Sequence, residues 1–457
     1  MTRDRGPTTA YRRRASLRRT RCRQDGSISP AADVDCRYVA GVASRLPVLP
    51  VLPVLWVCGA PGTGKSTVAW QVLLDLEQQG IRAGCVDIDQ LGMVYPPPDG
   101  DGDRDLLKAA NLEAVIPHHA AAGARVLVVS GVVDVERVEY FSTHTDGFEV
   151  TFCQLIVEEA VLRRRIAARG WSTADGDRAV EEMHALRRAN LIDTTLDTTA
   201  CTVRELAAHV RSLVDPAAAD AVHPVPDLPP HSALTSAPNP APDPVPTSVP
   251  DSAADVVGPE GNVIVVCGPR AVGTSSVSWA MFMRCTKVGR RTCYLDLEQI
   301  SFLRGASPTD ADRTALRNAN VAALSSTAAA RGATALIANG TIDGDFDIRG
   351  LGRAVHPAQL RVIGLSADSE AIATRIRSRH SGSPARLIGD DLEGASPAHQ
   401  QRVLHSALDQ QARLSRAQLV DEVIDTTDLP LDEVVRRAMT SAGFGDVADG
   451  QARTQCS

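Results

Sequence analysis

Lysine is nearly missing from this chain. Of 48 basic residues only Lys65, Lys108 and Lys287 are lysines, and the remainder are arginines. A bias this even reflects codon usage in a GC-rich coding sequence more simply than a design for binding anions. Paired cysteines are missing too. Ten cysteines are scattered from Cys22 to Cys456 without a C-x-x-C pair, which excludes a disulfide framework or a zinc ribbon and points to a reducing cytoplasm. No apolar run reaches the roughly 18 residues that a membrane span needs. The nearest candidate, Leu46 to Val57, is broken by Pro47, Pro50 and Pro53. A membrane partner is therefore not expected.

What is present is ordinary globular composition, 44% hydrophobic and 23% charged over 457 residues. That length predicts two or three domains. The net charge of −7 conceals an arginine-rich start, in which residues 1–24 hold nine arginines and one aspartate. The rest is correspondingly acidic, which argues against a nucleic-acid partner held through phosphates. Residues 1–50 read as a disordered extension, arginine-rich and then Val-Leu-Pro repetitive. Residues 215–259 carry 12 of the 28 prolines and read as a semi-extended linker. The flanking segments, 51–214 and 260–445, are expected to be domains free to touch or swing apart, with 446–457 a tail.

Those two segments resemble each other. A shift of 209 places Gly59 on Gly268, Gly64 on Gly273, Ser66 on Ser275 and Trp70 on Trp279. It also places Asp87 on Asp296, Arg104 on Arg313, Asn111 on Asn320 and Gly131 on Gly340. The shift drifts to 210 at Arg165/Arg375 and Arg169/Arg379, and settles at 228 where Asp197-Thr-Thr meets Asp425-Thr-Thr. One shift held over about 75 positions signals a tandem duplication.

Each copy alternates short apolar runs with amphipathic segments, the pattern of an α/β domain. In the first copy strands are expected near 53–58, 82–88, 125–130 and 150–156, with a fifth at 192–197. Helices are expected at 65–79 and 157–169. The expected fold is two tandem P-loop domains, each a parallel sheet of about five strands with helices on both faces. Gly59, Asp87 and Ser130 then open at one carboxyl edge, where such sheets bind ligands.

Gly59-Ala60-Pro61-Gly62-Thr63-Gly64-Lys65-Ser66, followed by Thr67, has the G-x-x-x-x-G-K-[ST] spacing between a strand and a helix. Its backbone N–H groups suit phosphate oxygens and the helix start adds a positive dipole end. Lys65 is placed to reach the β and γ phosphates of ATP, and Ser66 to ligate Mg²⁺. The second copy reads Gly268-Pro-Arg-Ala-Val-Gly273-Thr274-Ser275, with Thr274 in the lysine position, so 260–445 is read as a degenerate, inactive partner domain for the first. Cys58, Cys267, Trp70 and Trp279 are expected to be core. His118-His119 has no companion ligand cluster.

Asp87 and Asp89, two apart on a strand, would face the same side. Asp87 is then a candidate to orient the metal and Asp89 to act as base. The third strand ends in Ser130-Gly131 rather than an acidic pair, and Leu-Ser-Gly-Gly-Gln and Asn-Lys-x-Asp are missing. Transport ATPases, motors and GTPase switches are thereby disfavoured.

On these motifs the chain resembles P-loop kinases of the nucleotide, shikimate, gluconate and adenylyl-sulfate type, in both copies. The resemblance implies a lid after the fourth strand, whose arginines neutralise the transferred phosphoryl group. Arg165 and Arg169 are the candidates because both recur in the second copy, whereas Arg163 and Arg164 read as solvated surface. It also implies that the region after the Asp pair binds the acceptor. There Arg104, Lys108 and Asn111 share a helical stripe, with Ser130 and Gly131 nearby. The expected activity is Mg-ATP-dependent phosphoryl transfer to a small-molecule hydroxyl or phosphate. Two other readings use the same residues: an ATP-dependent switch with little turnover, and a polynucleotide 5′-hydroxyl kinase.

Overall fold

The computed structural model describes residues 52–133, 150–189, 194–214, 263–306, 308–355, 360–380 and 389–444, with Val138, Ile192 and Pro216. The arginine-rich extension, nearly all of the linker and the tail lie outside the described residues.

The first half runs β1 (Val54–Cys58), α1 (Lys65–Gln78), β2 (Ala83–Asp87), α2 (Ile88–Leu91), β3 (Val94–Tyr95), α3 (Asp105–Ala121) and β4 (Val126–Ser130). It continues with β5 (Val150–Ile156), α4 (Glu159–Ala168), α5 (Thr173–Ala189), β6 (Thr194–Asp197) and α6 (Val203–Arg211). The main strands and helices fall within a few residues of the expected positions, because the β-rich apolar runs and the helical stripe Val68, Ala69, Val72, Leu73 and Leu76 are all buried. The second half begins with β7 (Val263–Cys267), α7 (Thr274–Lys287), β8 (Thr292–Asp296), β9 (Phe302–Arg304), α8 (Asp310–Ala330) and β10 (Ala335–Gly340). After these come α9 (Asp345–Ala354), β11 (Leu360–Ser366), α10 (Ser369–His380), α11 (Pro397–Leu414), β12 (Glu422–Asp425) and α12 (Leu431–Ser441).

Two six-stranded sheets result, ordered β6-β5-β1-β4-β2-β9 and β12-β11-β7-β10-β8-β3. Each has five parallel strands in the same order and a sixth that comes from the other half. The expectation of five strands per domain missed this exchange. Strand β9 runs antiparallel to β2, pairing Cys85 with Phe302 and Ala83 with Arg304. Strand β3 runs antiparallel to β8, pairing Val94 with Cys293 and Tyr95 with Thr292. Two- and three-residue strands carry little hydrophobic signal of their own, so periodicity could not reveal them. The exchange also covers an exposed edge on each sheet.

The two halves therefore do not swing apart on their linker. One buried cluster runs through both, joining Val54, Leu107, Leu112 and Val129 with Val265, Leu316, Leu324 and Leu336. Helices α3 and α8 pack against each other across this seam. Gly305, with φ of 104°, lies so close to the Ile81 carbonyl that a side chain there would collide with backbone. Among the described residues no helix is long and apolar enough to cross a membrane.

Candidate phosphate-binding site

Strand β1 delivers the chain to Gly59 at the carboxyl edge of the sheet, and the loop closes on α1 at Gly64. Gly59 has φ of 140°, and a Cβ would stand 2.5 Å from the Leu155 carbonyl oxygen on the neighbouring strand β5. Only glycine fits that approach. Gly64 caps α1 in the left-handed region without a side-chain cap, which leaves the helix's first N–H groups facing the loop. Thr63 is buried and its hydroxyl donates to the Ala60 carbonyl at 2.9 Å. Ser66 and Thr67 lie in the first turn of α1, Ser66 half-buried and Thr67 exposed.

Lys65 is buried beneath this loop, its Nζ donating to the Ala60 carbonyl at 2.9 Å. Burial pushes its pKa down, and the charges of Asp89 and Asp87 push it back up. A buried ammonium with one neutral partner, in a cradle of open N–H groups, suits an anion. The donor set fits a polyphosphate: a compact cation, open backbone N–H groups, and a hydroxyl and carboxylates for a divalent ion.

Asp87 ends β2 opposite Ser130 in the parallel ladder. That register explains why the Ser130 hydroxyl donates to Asp87 Oδ2 at 3.0 Å. Burial first, and Asp89 second, raise Asp87 to about 6. The expectation that Asp87 and Asp89 share a strand face is corrected. Asp87 is the N-cap of α2, accepting from the Asp89 N–H at 2.9 Å, and Asp89 stands in the first helical turn. The two carboxylates still come together, now through a helix start rather than strand alternation. Gly131, with φ of 138°, leaves room for Ile88 beside them.

The acceptor stripe is also rearranged. Arg104 is the N-cap of α3 in the left-handed region, outside the helix it was expected to begin. Its guanidinium lies 4.2 Å over the Tyr95 ring, so it braces the exchanged strand rather than facing an acceptor. Asn111 is buried and donates to the Leu91 carbonyl at 2.6 Å. It ties α3 to α2, a structural role repeated by Asn320 and Ile300 at 2.7 Å. Lys108 alone of the three reaches the site, 3.2 Å from Asp89 and 3.5 Å from Asp105.

Of the two lid arginines, Arg165 is turned onto the back of the loop. Its Nη1 donates to the Gly62 carbonyl and to Thr198 Oγ1, both at 3.3 Å. These contacts tie α4 to the glycine loop and to the end of β6. Arg169 is exposed at the end of α4, and its charge reaches Lys65, lowering that residue's pKa. Two contributors were missed. Thr198 is buried and donates to the Thr63 carbonyl at 3.2 Å, fixing the loop from the end of β6. Its repetition at Thr426, which donates to the Val272 carbonyl, was a visible signal. Glu182 on α5 feels both Lys65 and Asp89, and burial raises its pKa. No local motif marks it, because only the fold of α5 onto the loop places it there.

In the second half, Ser275 donates to Asn339 at 3.1 Å, and Asp296 accepts from the N–H groups of Glu298 and Gln299, both at 3.1 Å. Cys58 and Cys267 are buried as expected. Of the two tryptophans expected in the core, Trp70 is half-buried at its margin and Trp279 is not part of it. Trp70 packs on Phe302 of the other half with ring centroids 5.0 Å apart, and Trp279 is 43% exposed.

Residues 54–191 match the family model described as AAA domain. The match covers less than a third of the chain, and the strand–loop–helix geometry around Gly59 to Ser66 is that of a P-loop. No curated protein matches the chain. Among solved structures, the tunicamycin resistance protein of Deinococcus radiodurans is 19% identical, covering 35% of this chain and 94% of that one with a TM-score of 0.29. A gluconokinase from Sinorhizobium meliloti 1021 is 18% identical, covering 42% and 96%, TM-score 0.28. A shikimate kinase from Bacteroides thetaiotaomicron is 12% identical, covering 39% and 97%, TM-score 0.28.

Proposed function

We propose that the first half catalyses Mg-ATP-dependent phosphoryl transfer to a small-molecule hydroxyl or phosphate. The observation that carries this reading is the buried Lys65 ammonium, set under the glycine loop and under the influence of Asp87 and Asp89. ATP with Mg²⁺ supplies the transferable group and the charge neutralisation around it. Lys65 and the open N–H groups of α1 hold the β and γ phosphates. Ser66 and Asp87 hold the metal, directly or through water. Asp89, exposed and beside the site, accepts the proton of the acceptor hydroxyl, and Lys108 orients it. Arg169 comes over the loop from the lid and Arg165 keeps the loop in place through Gly62.

The test is ADP release from Mg-ATP, wild type against Lys65→Ala, over a panel of nucleosides, nucleotides, sugars and hydroxy-acids. One acceptor that stimulates release in the wild type and not in the variant names the substrate. Tight ATP binding through Lys65 with no stimulating acceptor would place the switch reading ahead.

A further inference from the structure

A cavity of about 790 Å³ opens above the glycine loop of the second half, walled partly by Gln90 and Met93 from the first half. That size is ordinary for a small-molecule site. Its position corresponds to the phosphate site of the first half, but its chemistry does not. Thr274 replaces the lysine. The loop's own cation, Arg270, is consumed by an ion pair with Asp391 and a second contact to Asp390 at 3.6 Å. The Ser275 hydroxyl is committed to Asn339. Asp296 and Glu298 add carboxylates to the same wall. Arg304 and Arg379 also line the wall, but with Arg270 they face four carboxylates, Asp296, Glu298, Asp390 and Asp391, and Arg304 is already paired with Glu77 at 3.4 Å. A polyphosphate would find no equivalent of Lys65 and more acid than base here.

What the cavity offers instead is aromatic surface and hydrogen-bond acceptors. Trp279 is 43% exposed while lining it. The indole is held by Tyr294 edge-on at 5.4 Å and by Phe282 at 5.2 Å, so it is a rigid stacking platform. Carboxylates beside an aromatic wall suit a ligand with ring and hydroxyl groups.

We infer that this cavity is an effector site for a neutral ring compound bearing hydroxyls, of the nucleoside or aryl-glycoside class, and not for a polyphosphate. The connection to the first half is short. Gln90 is the neighbour of Asp89, and the Met93 carbonyl accepts from the Tyr294 N–H at 2.8 Å. A ligand seated against Gln90 and Met93 bears directly on the segment that carries Asp87 and Asp89. Occupancy therefore changes Mg-ATP affinity at the Lys65 site. That coupling, unlike the binding itself, rests on reading the first half as the ATP site.

The experiment is calorimetric titration of the full chain with adenosine, with phenyl β-glucoside and separately with Mg-ATP. One adenosine or glucoside per chain is expected, weakened at least tenfold by Trp279→Ala and by Glu298→Gln, and unchanged by Lys65→Ala. Mg-ATP is expected to bind once per chain and not at all to Lys65→Ala. Saturating the neutral ligand is expected to move the Mg-ATP Kd at least threefold. A second Mg-ATP that survives Lys65→Ala would overturn the inference, because the cavity would still be a polyphosphate site. So would the absence of binding by both neutral probes at millimolar concentration, or binding that both variants leave intact. Neutral-ligand binding without any shift in the Mg-ATP Kd would overturn the coupling.

Discussion

Arg82 and Arg291 do the same work, one from each half of the chain. Arg82 Nη2 donates to the Ala306 carbonyl at 2.8 Å, across into the second half. Arg291 Nη2 donates to the Pro97 carbonyl at 3.1 Å and pairs with Asp99 at 2.9 Å, back into the first. Each also holds its own half, through Ala122 at 3.0 Å and Arg331 at 3.2 Å. Each clasp fastens the chain that follows an exchanged strand, β9 in one case and β3 in the other.

This interlock predicts how the protein comes apart. Cutting the linker with a protease site placed within residues 225–250 is expected to leave the halves associated through gel filtration and melting as one transition. Residues 51–214 alone are expected to be insoluble or unfolded, since their share of the common cluster would face water. Arg82→Ala and Arg291→Ala are each expected to cost about 1.5–3 kcal/mol in urea unfolding, the scale of hydrogen bonds from charged groups.

Lys65→Ala is expected to lower kcat by about a hundred- to a thousandfold, the usual cost of losing a preorganised transition-state charge. Lys65→Arg should not rescue it, because a planar fork does not fit a pocket shaped around a point charge. Circular dichroism should be unchanged in both, and steady-state ADP release provides the measurement.

The contact between Lys108 and Asp89 predicts a split between kinetic constants. Lys108→Met is expected to reduce kcat about tenfold while KM for ATP stays within about twofold, because Lys108 orients the base and does not hold the nucleotide. Arg104→Ala should leave both constants nearly unchanged and lower stability instead, since its guanidinium covers Tyr95.

His119 predicts a pH dependence of stability. It is fully buried, neither ring nitrogen has a partner among the described residues, and burial, with His118 second, pushes it down to about 3. The unfolded chain takes up a proton near pH 6.5 that the folded chain refuses. The stability held above pH 6.5 is therefore lost as pH falls from there toward 3. Between pH 7 and 5.5 the wild type is expected to lose about 1 kcal/mol more than His119→Leu, following the usual 1.4 kcal/mol per pH unit at full linkage. Urea titrations at the two pH values check it.

The sequence by itself determined the strands and helices that carry strong hydrophobic periods, the glycine loop, and Lys65 and Asp87 at the carboxyl edge. These are local consequences of spacing: a period of two or 3.6, or a loop whose glycines allow one backbone path. Tertiary structure alone decided the rest. The exchange of β3 and β9 rests on two- and three-residue segments whose partners lie about 200 residues away. Arg104, Lys108 and Asn111 looked equivalent on a helical wheel, yet they face a ring, a carboxylate and a backbone carbonyl. Arg165 and Glu182 likewise took roles set by which surface their helices met. A side chain's identity fixes what it can bind, but its partner is fixed by packing between distant segments, and spacing along one chain does not encode that.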